Sequence, residues 1–368
     1  MSSASSPAQR VLLLGATGTI GRATAQALRQ RGHEVVALVR SSSLGAGIGA
    51  ASSSAPQVPS ANATAASSAL SAASPQRPVH DALQAMGVTL REGNLSDPGS
   101  VARDGLCGER FDAIVSCLAS RSGTPRDAWA VDHDAHQHAL AAAVAGGVGR
   151  FVLLSAICVQ KPSLGFQQAK LAFEASLMAS PLAWSIVRPT AFFKSLSGQI
   201  ARVQQGKPFL VFGDGRLTAC KPIADEDLGD YLAGCLHDPA RARRILPIGG
   251  PGPALTPLDQ VQMLSELMGR PVPVRHVPVA LMNTIAGVLG LAGRFSPRLA
   301  EKAELARIGR YYATESMLVW DPTAGRYDAQ ATPETGSRTL RDFYAEVLAD
   351  RERVDLGEHA VFSQDSQR

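Results

Sequence analysis

The stretch that decides the fold is residues 11–21, VLLLGATGTIG. A four-residue apolar run breaks into three glycines at Gly15, Gly18 and Gly21, and residues 20–30 then show helical apolar spacing. A second apolar run follows at residues 35–39. Strand, glycine turn, helix and strand in this order predict the opening unit of an α/β fold with a doubly wound parallel sheet.

The glycine spacing between a strand and a helix is typical of a dinucleotide-binding loop. Gly15 would make the tight turn, Gly18 would let the backbone approach a pyrophosphate, and Gly21 would let the helix pack closely on the strand. The positive end of the helix would face the phosphates. The predicted cofactor contacts here are Gly15, Thr17, Gly18, Thr19, Ile20, Gly21 and Arg22.

Arg40 ends the second predicted strand, at the position where an NAD-selective protein places an acid on the ribose hydroxyls. A guanidinium there suits a 2′-phosphate, so the sequence predicts NADPH as the cofactor. The alternative is a solvated surface arginine, and this holds for Arg22 too. Asn94 and Ser155 follow later strands and are predicted cofactor contacts, with a purely structural turn left open for Asn94.

The alternation of predicted strands and helices continues along the chain. Apolar runs at residues 88–90, 111–117, 151–155 and 184–187 predict strands, and residues from about 128 to 145 predict a long helix. Right-handed crossovers predict the strand order 3-2-1-4-5-6. We expect a nucleotide-binding domain at 8–190, a smaller substrate-binding part at 191–358, and a flexible tail at 359–368. The segment 41–76 is almost entirely Ala, Ser, Gly and Pro, which predicts a disordered insertion.

Composition excludes several classes of protein. A net charge of +4 over 368 residues is too small to indicate nucleic-acid binding. The five cysteines are odd in number and lack C-x-x-C spacing, which favours reduced thiols in a cytosolic-type compartment. His133, His136 and His138 show no metal-ligand pattern, so we predict a polar helix face and no metal.

The most apolar window, residues 277–291, is shorter than the roughly 20 residues that a membrane span needs. It predicts a buried helix or a lid over the substrate, with a contact to a membrane surface as the alternative. The first strand starts near Arg10, which leaves no room before it for a signal peptide. A plastid protein that has lost its leader is left open.

Residues 166–170, FQQAK, stand where a short-chain dehydrogenase carries Tyr-x-x-x-Lys. Lys170 would hold the nicotinamide ribose, but Phe166 replaces the tyrosine that protonates a carbonyl oxygen. The pattern therefore indicates either hydride delivery to something other than a carbonyl group, or a protein without catalytic activity.

The runs SAICVQKP at 155–162, RPTAFFKS at 188–195 and VFGDGRLTACKPI at 211–223 are more discriminating than the glycine loop. With them, nearly the whole chain apart from the insertion and both tails resembles the divinyl chlorophyllide a 8-vinyl-reductases, a family of atypical short-chain dehydrogenases. The resemblance implies NADPH-dependent reduction of the 8-vinyl group of 3,8-divinyl chlorophyllide or protochlorophyllide to ethyl. A carbanion delocalised into the macrocycle would need no tyrosine, which fits Phe166.

The resemblance places catalysis at Lys170 and at Phe166, the position of the absent tyrosine. Cys158, Lys161, Tyr311, Tyr312 and water remain open as the source of the proton, with Cys158 included among the catalytic candidates. We expect an apolar substrate pocket at Phe192, Phe193 and Leu196, although some of these could be core residues only. Lys194 or Arg310 would pair with the substrate's propionate.

Two alternatives remain beside this interpretation. One is a non-catalytic NADP-binding regulator or assembly factor, and the other is a reductase of a different conjugated alkene. The expected location is the cytoplasm of a bacterium, with peripheral contact at the photosynthetic membrane left open, or a plastid in a eukaryote.

Overall fold

The computed structural model describes residues 7–40 and 77–350. The predicted disordered insertion at 41–76 and the predicted flexible tail at 359–368 lie outside the described residues.

The main sheet has seven parallel strands in the order β3-β2-β1-β4-β5-β6-β8. The predicted order 3-2-1-4-5-6 is confirmed, and one more strand extends it. Two small sheets pair β7 with β9 in parallel and β10 with β11 antiparallel. The strands are β1 (Arg10–Leu14), β2 (Glu34–Val39), β3 (Thr89–Glu92), β4 (Ala113–Ser116), β5 (Arg150–Leu154), β6 (Ala183–Pro189), β7 (Phe209–Phe212), β8 (Arg244–Ile248), β9 (Val274–Val277), β10 (Val319–Asp321) and β11 (Arg326–Asp328).

Helices cover both faces of the main sheet and form much of the second half of the chain. They are α1 (Thr19–Gln30), α2 (Arg77–Ala85), α3 (Pro125–Ala128), α4 (His136–Ala145), α5 (Gly165–Ala179), α6 (Phe193–Leu196), α7 (Ile200–Gln204), α8 (Asp225–Gly234), α9 (Pro257–Met268), α10 (Val279–Ala292), α11 (Pro297–Thr314) and α12 (Leu340–Leu348).

The central strands are apolar throughout because both of their faces are covered. In β1, Val11 and Leu13 belong to the core on the α1 side, whereas Leu12 and Leu14 belong to the core on the α5 side. All four side chains are fully buried. An apolar run without polar alternation is what a parallel strand between two helical layers requires.

The second half of the chain contributes to the nucleotide-binding sheet. β8 pairs with β6, and α8 packs against α1 so closely that a Cβ at Gly229 would lie 2.6 Å from the carbonyl carbon of Ala23. Part of the segment at 191–358 therefore completes the sheet that holds the glycine loop.

The helix expected at about 128–145 begins earlier, at Pro125, with Thr124 as its N-cap residue. It runs into α4 through a π-helical stretch, Trp129–Ala135. Wider turns of this kind are frequent at functional sites. Asp132 lies in this stretch and is buried, although a carboxylate is seldom buried unless it has partners.

The interpretation of the apolar window as a buried helix is wrong. The window forms α10, of which only Ala286 is buried. Leu281, Ile285 and Val288 are 41–62% exposed, and Phe295 beyond the helix end is 87% exposed. Apolar composition alone does not distinguish a core helix from a surface helix whose apolar side faces outward. α10 is a surface helix of this kind.

Candidate active site

The glycine loop joins β1 to α1, and its three glycines serve different purposes. Gly15 has a φ of +78°, and a Cβ there would lie 2.7 Å from the carbonyl of Cys117. A Cβ at Gly21 would lie 2.0 Å from the carbonyl oxygen of Gly15, so the helix cannot sit this close with any side chain. A Cβ at Gly18 would meet only one atom, at 3.5 Å. No described part of the protein therefore requires glycine at position 18, and its contact with a cofactor stays a prediction.

A cavity of about 520 Å³ lies at the carboxyl ends of β2 and β3. Arg40 and Asn94 both line it, so the structure brings these two predicted cofactor residues together. Arg40 is exposed and forms no ion pair with any residue that the structure describes. The Asn94 side-chain oxygen accepts from the Ser96 backbone, which leaves its amide group for a ligand. Arg22 donates to the carbonyl of Thr17 and so lies folded over the glycine loop.

Lys170 is held by a buried carboxylate that sequence reasoning missed. Its Nζ lies 2.9 Å from Asp132 Oδ1, and the two side chains are 12% and 0% exposed. Ser120 donates to Asp132 through its hydroxyl at 2.6 Å and its backbone N–H at 3.3 Å. Burial raises the pKa of Asp132, but the Lys170 ammonium and the bonds from Lys170 and Ser120 outweigh it and hold the pKa below its ordinary value. The pair ties α5 to the π-helical stretch, and the bonds from Ser120 add the loop after β4.

His136 lies one turn from Asp132, and the interpretation of this residue as part of a polar helix face is wrong. The ring is 1% exposed and accepts from the Ser116 hydroxyl at Nε2 (2.9 Å). Its Nδ1 faces the Val131 carbonyl at 2.9 Å and must carry the proton. Burial and the nearby Lys170 ammonium lower the His136 pKa to about 4. The ring is therefore neutral at pH 7, and its two hydrogen bonds join β4 to the carbonyl of Val131 in the π-helical stretch.

Phe166 and Cys158 belong to one buried apolar cluster with Tyr311. Burial raises the pKa of the Cys158 thiol, and the charge of Lys170 is close enough to oppose that rise. Cys158 is therefore a neutral thiol near Lys170. Its Sγ lies 3.9 Å from the hydroxyl of Tyr312, whose pKa burial also raises. Tyr311 instead donates to the Cys158 carbonyl.

The Ser155 hydroxyl points into the protein. It donates to Glu174 at 2.5 Å, and Glu174 also pairs with Arg188. This cluster fixes α5 to the ends of β5 and β6. Ser155 contributes to the rigidity of the helix that carries Lys170, and its contact with a cofactor stays a prediction.

A second, larger cavity of about 880 Å³ lies between α10, α11 and the two residues that precede α5. Leu164 and Tyr311 line it, and both also belong to the apolar cluster around Phe166 and Cys158. The cavity is therefore next to the predicted catalytic residues. Its lining residues are Ser163, Leu164, Asn283, Ala286, Gly287, Gly290, Leu291, Arg294, Arg307, Arg310, Tyr311, Thr314 and Glu315.

The three residues predicted for the substrate pocket lie elsewhere. Phe193 is 3% exposed and packs against Phe343, with ring centroids 5.4 Å apart. Phe192 packs partly buried on the α1 side of the sheet, and Leu196 lies at the edge of the clusters around Phe193 and Phe166. None of the three lines the large cavity. The cavity-lining arginines Arg294 and Arg307 were missed because they lie 124 and 137 residues beyond Lys170 in sequence.

Within residues 7–40 and 77–350, no cluster of three or more His, Cys, Asp or Glu side chains could hold a metal ion. In the same part of the chain, no helix has the length and apolar character to cross a membrane. All five cysteines are free thiols.

Fold and site together define a dinucleotide-binding protein of the short-chain dehydrogenase type. The profile of the NmrA-like family matches residues 7–312, and the chain belongs to that family. Among solved structures it is similar to isoflavone reductase (17% identity, TM-score 0.63, covering 93% of this chain and 100% of that one). It is also similar to the leucoanthocyanidin reductase–NADPH complex of Vitis vinifera (15% identity, TM-score 0.62, covering 92% and 99%).

Relatives of higher sequence identity define a narrower family. A chloroplastic divinyl chlorophyllide a 8-vinyl-reductase of Oryza sativa subsp. indica is 44% identical over 360 residues, which cover 96% of this chain and 82% of the relative. The enzyme of the same name from Arabidopsis thaliana is 41% identical over 344 residues, covering 92% and 76%. Within the NmrA-like proteins, the chain therefore belongs to the family of divinyl chlorophyllide a 8-vinyl-reductases.

Proposed function

We propose that this protein is an NADPH-dependent oxidoreductase that reduces the 8-vinyl group of divinyl chlorophyllide a to ethyl, a step of (bacterio)chlorophyll biosynthesis. The observation that carries the proposal is the high identity to 8-vinyl-reductases over almost the whole chain. The site supports it, since the chain has a glycine loop, a lysine held by a buried carboxylate and a large cavity beside the Phe166 cluster, while the tyrosine acid of carbonyl reductases is absent.

The cofactor fits the residues present. Gly18 leaves space on its outer side for the pyrophosphate, and the start of α1 offers free N–H groups. Arg40 would pair with the 2′-phosphate, and Asn94 would lie along the adenosine half. Lys170, fixed by Asp132, would donate to the nicotinamide ribose. When bound, the cofactor supplies the hydride.

Phe166 suits reduction of a vinyl group. Hydride addition to the outer vinyl carbon leaves negative charge that spreads into the conjugated macrocycle, so no localised alkoxide needs an acid beside it. A phenyl ring in a buried cluster excludes water from that place. The protein would position the vinyl group for hydride transfer and exclude water from the site.

One proton must still reach the other vinyl carbon. Cys158 is protonated at neutral pH, lies near Lys170, and can regain a proton from Tyr312. We therefore assign proton donation to Cys158. Cys158→Ala should lower kcat while leaving NADPH affinity unchanged, and an unchanged kcat would remove Cys158 from this role.

The function is tested by incubating the purified full chain with NADPH and divinyl chlorophyllide, and separately with divinyl protochlorophyllide. Conversion to the monovinyl pigment shifts the Soret band to shorter wavelength and consumes one NADPH per pigment. A protein that binds NADPH tightly but never converts either pigment would instead be a non-catalytic NADP-binding regulator, and the proposal would be wrong.

The exposed side of α10 supports a peripheral contact with a lipid bilayer. Leu281, Ile285 and Val288 lie on one helix face with spacings of four and three residues, and Phe295, just beyond the helix end, is also exposed. α10 contains no charged residue, whereas residues 274–310 hold six Lys or Arg and two Glu. An apolar face with a basic surround is typical of a helix that lies in the interface of an anionic membrane.

We therefore place the protein at the surface of a photosynthetic membrane, where its pigment substrate partitions. Flotation with anionic phosphatidylglycerol vesicles should recover the wild-type chain, and Val288→Ser with Phe295→Ser should reduce recovery severalfold. Recovery that is equal for wild type and variant would show that this face does not contact lipid. Flotation with neutral phosphatidylcholine vesicles, compared with the anionic vesicles, shows how much of the binding depends on the lipid charge.

A further inference from the structure

The large cavity has a basic side that the cofactor does not explain. Arg294, Arg307 and Arg310 line it, and Glu315 is the one acidic side chain among its lining residues. Glu315 is already occupied, because Lys161 Nζ and the Tyr327 hydroxyl each lie 2.6 Å from its Oε2. The cavity therefore carries uncompensated positive charge.

The three arginines are not equivalent. Arg307 pairs with Glu304 at 3.2 Å, and the same carboxylate accepts from the backbone N–H of Gly165 at 3.2 Å. Arg307 thus belongs to the structure that joins α11 to the start of α5. Arg294 and Arg310 form no ion pair with any residue in the described part of the chain. These two guanidinium groups are available to an anion.

The α10 wall of the cavity is made of small residues. Ala286, Gly287 and Gly290 face it, so the helix presents a shallow apolar surface. Arg307 approaches that surface from α11, since a Cβ at Gly290 would lie 3.3 Å from its Nη2. A flat apolar ligand can lie against this wall while its charged edge stays close to the arginines.

We propose that the basic side of this cavity, which carries Arg294 and Arg310, is a subsite for the free propionate carboxylate of the tetrapyrrole substrate. The inference rests on the proposed function, which supplies a planar pigment whose periphery is uncharged except for that carboxylate. Guanidinium groups bind carboxylates with strong, charge-assisted hydrogen bonds. Anchoring this end fixes which edge of the macrocycle reaches the Phe166 cluster. The subsite would therefore select free-acid pigments over esterified ones.

Equilibrium binding tests the subsite without requiring turnover. Dissociation constants are measured by absorbance titration in the presence of NADP⁺, for divinyl chlorophyllide and for its methyl ester. Loss of hydrogen bonds to a charged group predicts that Arg310→Gln and Arg294→Gln each weaken binding of the free acid by about tenfold or more, and leave the ester unchanged. Arg298→Gln, exposed at the start of α11 and not a lining residue, is the matched control.

The subsite is supported if wild type prefers the free acid and both cavity variants lose that preference, with thermal unfolding unchanged. It is overturned if the variants keep the preference, if wild type binds acid and ester equally, or if wild type binds neither pigment. The proposed function fails in a different way, through pigment binding with NADPH but no conversion to the monovinyl product.

Discussion

Removing the carboxylate that holds Lys170 should destabilise the protein and weaken cofactor binding together. Asp132→Asn keeps the side-chain shape but removes the charge from a pair whose atoms are 2.9 Å apart. The carboxylate is fully buried and Lys170 is only 12% exposed, so water cannot replace the lost partner. The Lys170 ammonium would then be left in a site built for a charge pair.

The magnitude follows from that burial. Breaking a buried pair by removing one partner costs about 3–5 kcal/mol of unfolding free energy. Because Lys170 is partly exposed, we expect a loss of about 3 kcal/mol. Removing both charges, in Asp132→Asn with Lys170→Met, leaves no buried ion. The double variant should therefore recover part of the loss, with a coupling energy of about 2 kcal/mol.

Urea unfolding of the four proteins in this cycle measures the coupling, and fluorescence titration with NADPH measures the dissociation constant. Glu266→Gln is the control, because its pair with Arg341 has a similar distance of 2.6 Å but both side chains are almost half exposed. That change should alter the free energy of unfolding by less than about 1 kcal/mol. Asp132→Asn with unchanged stability and unchanged NADPH affinity would refute the role given to this pair.

Three further predictions concern the cofactor loop, the cofactor preference and acid stability. Gly21→Ala should cost at least about 1–3 kcal/mol of unfolding free energy in a urea titration, because its Cβ would overlap a backbone carbonyl, whereas Gly18→Ala should keep the stability and lose NADPH affinity. Equal stability losses in the two variants would contradict the separate roles of these glycines. Arg40→Ser should weaken NADPH binding about tenfold and leave NADH binding unchanged, as read from paired titrations; equal effects would remove Arg40 from the 2′-phosphate site. His136 is buried and neutral, and its pKa is lowered to about 4. As the pH falls, this histidine therefore takes up a proton in the unfolded chain before it does so in the folded protein. The free energy of unfolding should fall by up to about 3 kcal/mol as the pH drops from about 6.5 to about 4. His136→Gln should flatten that fall in urea titrations across the pH range and His138→Gln should not; identical pH profiles for wild type and His136→Gln would contradict the buried neutral ring.

The sheet was predictable because its signals are local. Fully apolar runs mark strands that are covered on both faces, and the glycine loop marks the first crossover. β8 was missed because Pro247 interrupts its apolar run, and a proline argues against a strand. The proline is tolerated because β8 is the edge strand, so no further strand needs a backbone N–H donor at position 247.

In the candidate site, the sequence predicted only that Arg40 and Asn94 would lie close together. Arg40 and Asn94 meet because parallel strands end at the same edge of the sheet. The partner of Lys170 could not be found, since Asp132 is 38 residues away and no local pattern marks it. The large cavity depends on how α10 and α11 pack, which no local pattern shows. Phe193, which was expected at a substrate pocket, is a core residue in the structure.

In the proposed reaction, hydride from NADPH reaches the 8-vinyl group in a site without a tyrosine acid. The most direct measurement uses NADPH deuterated at the transferred position of nicotinamide C4, with analysis of the monovinyl pigment by mass spectrometry and NMR. We expect one deuterium per product, located on the terminal carbon of the new ethyl group. A product without deuterium, or with deuterium at another carbon of the macrocycle, would contradict it.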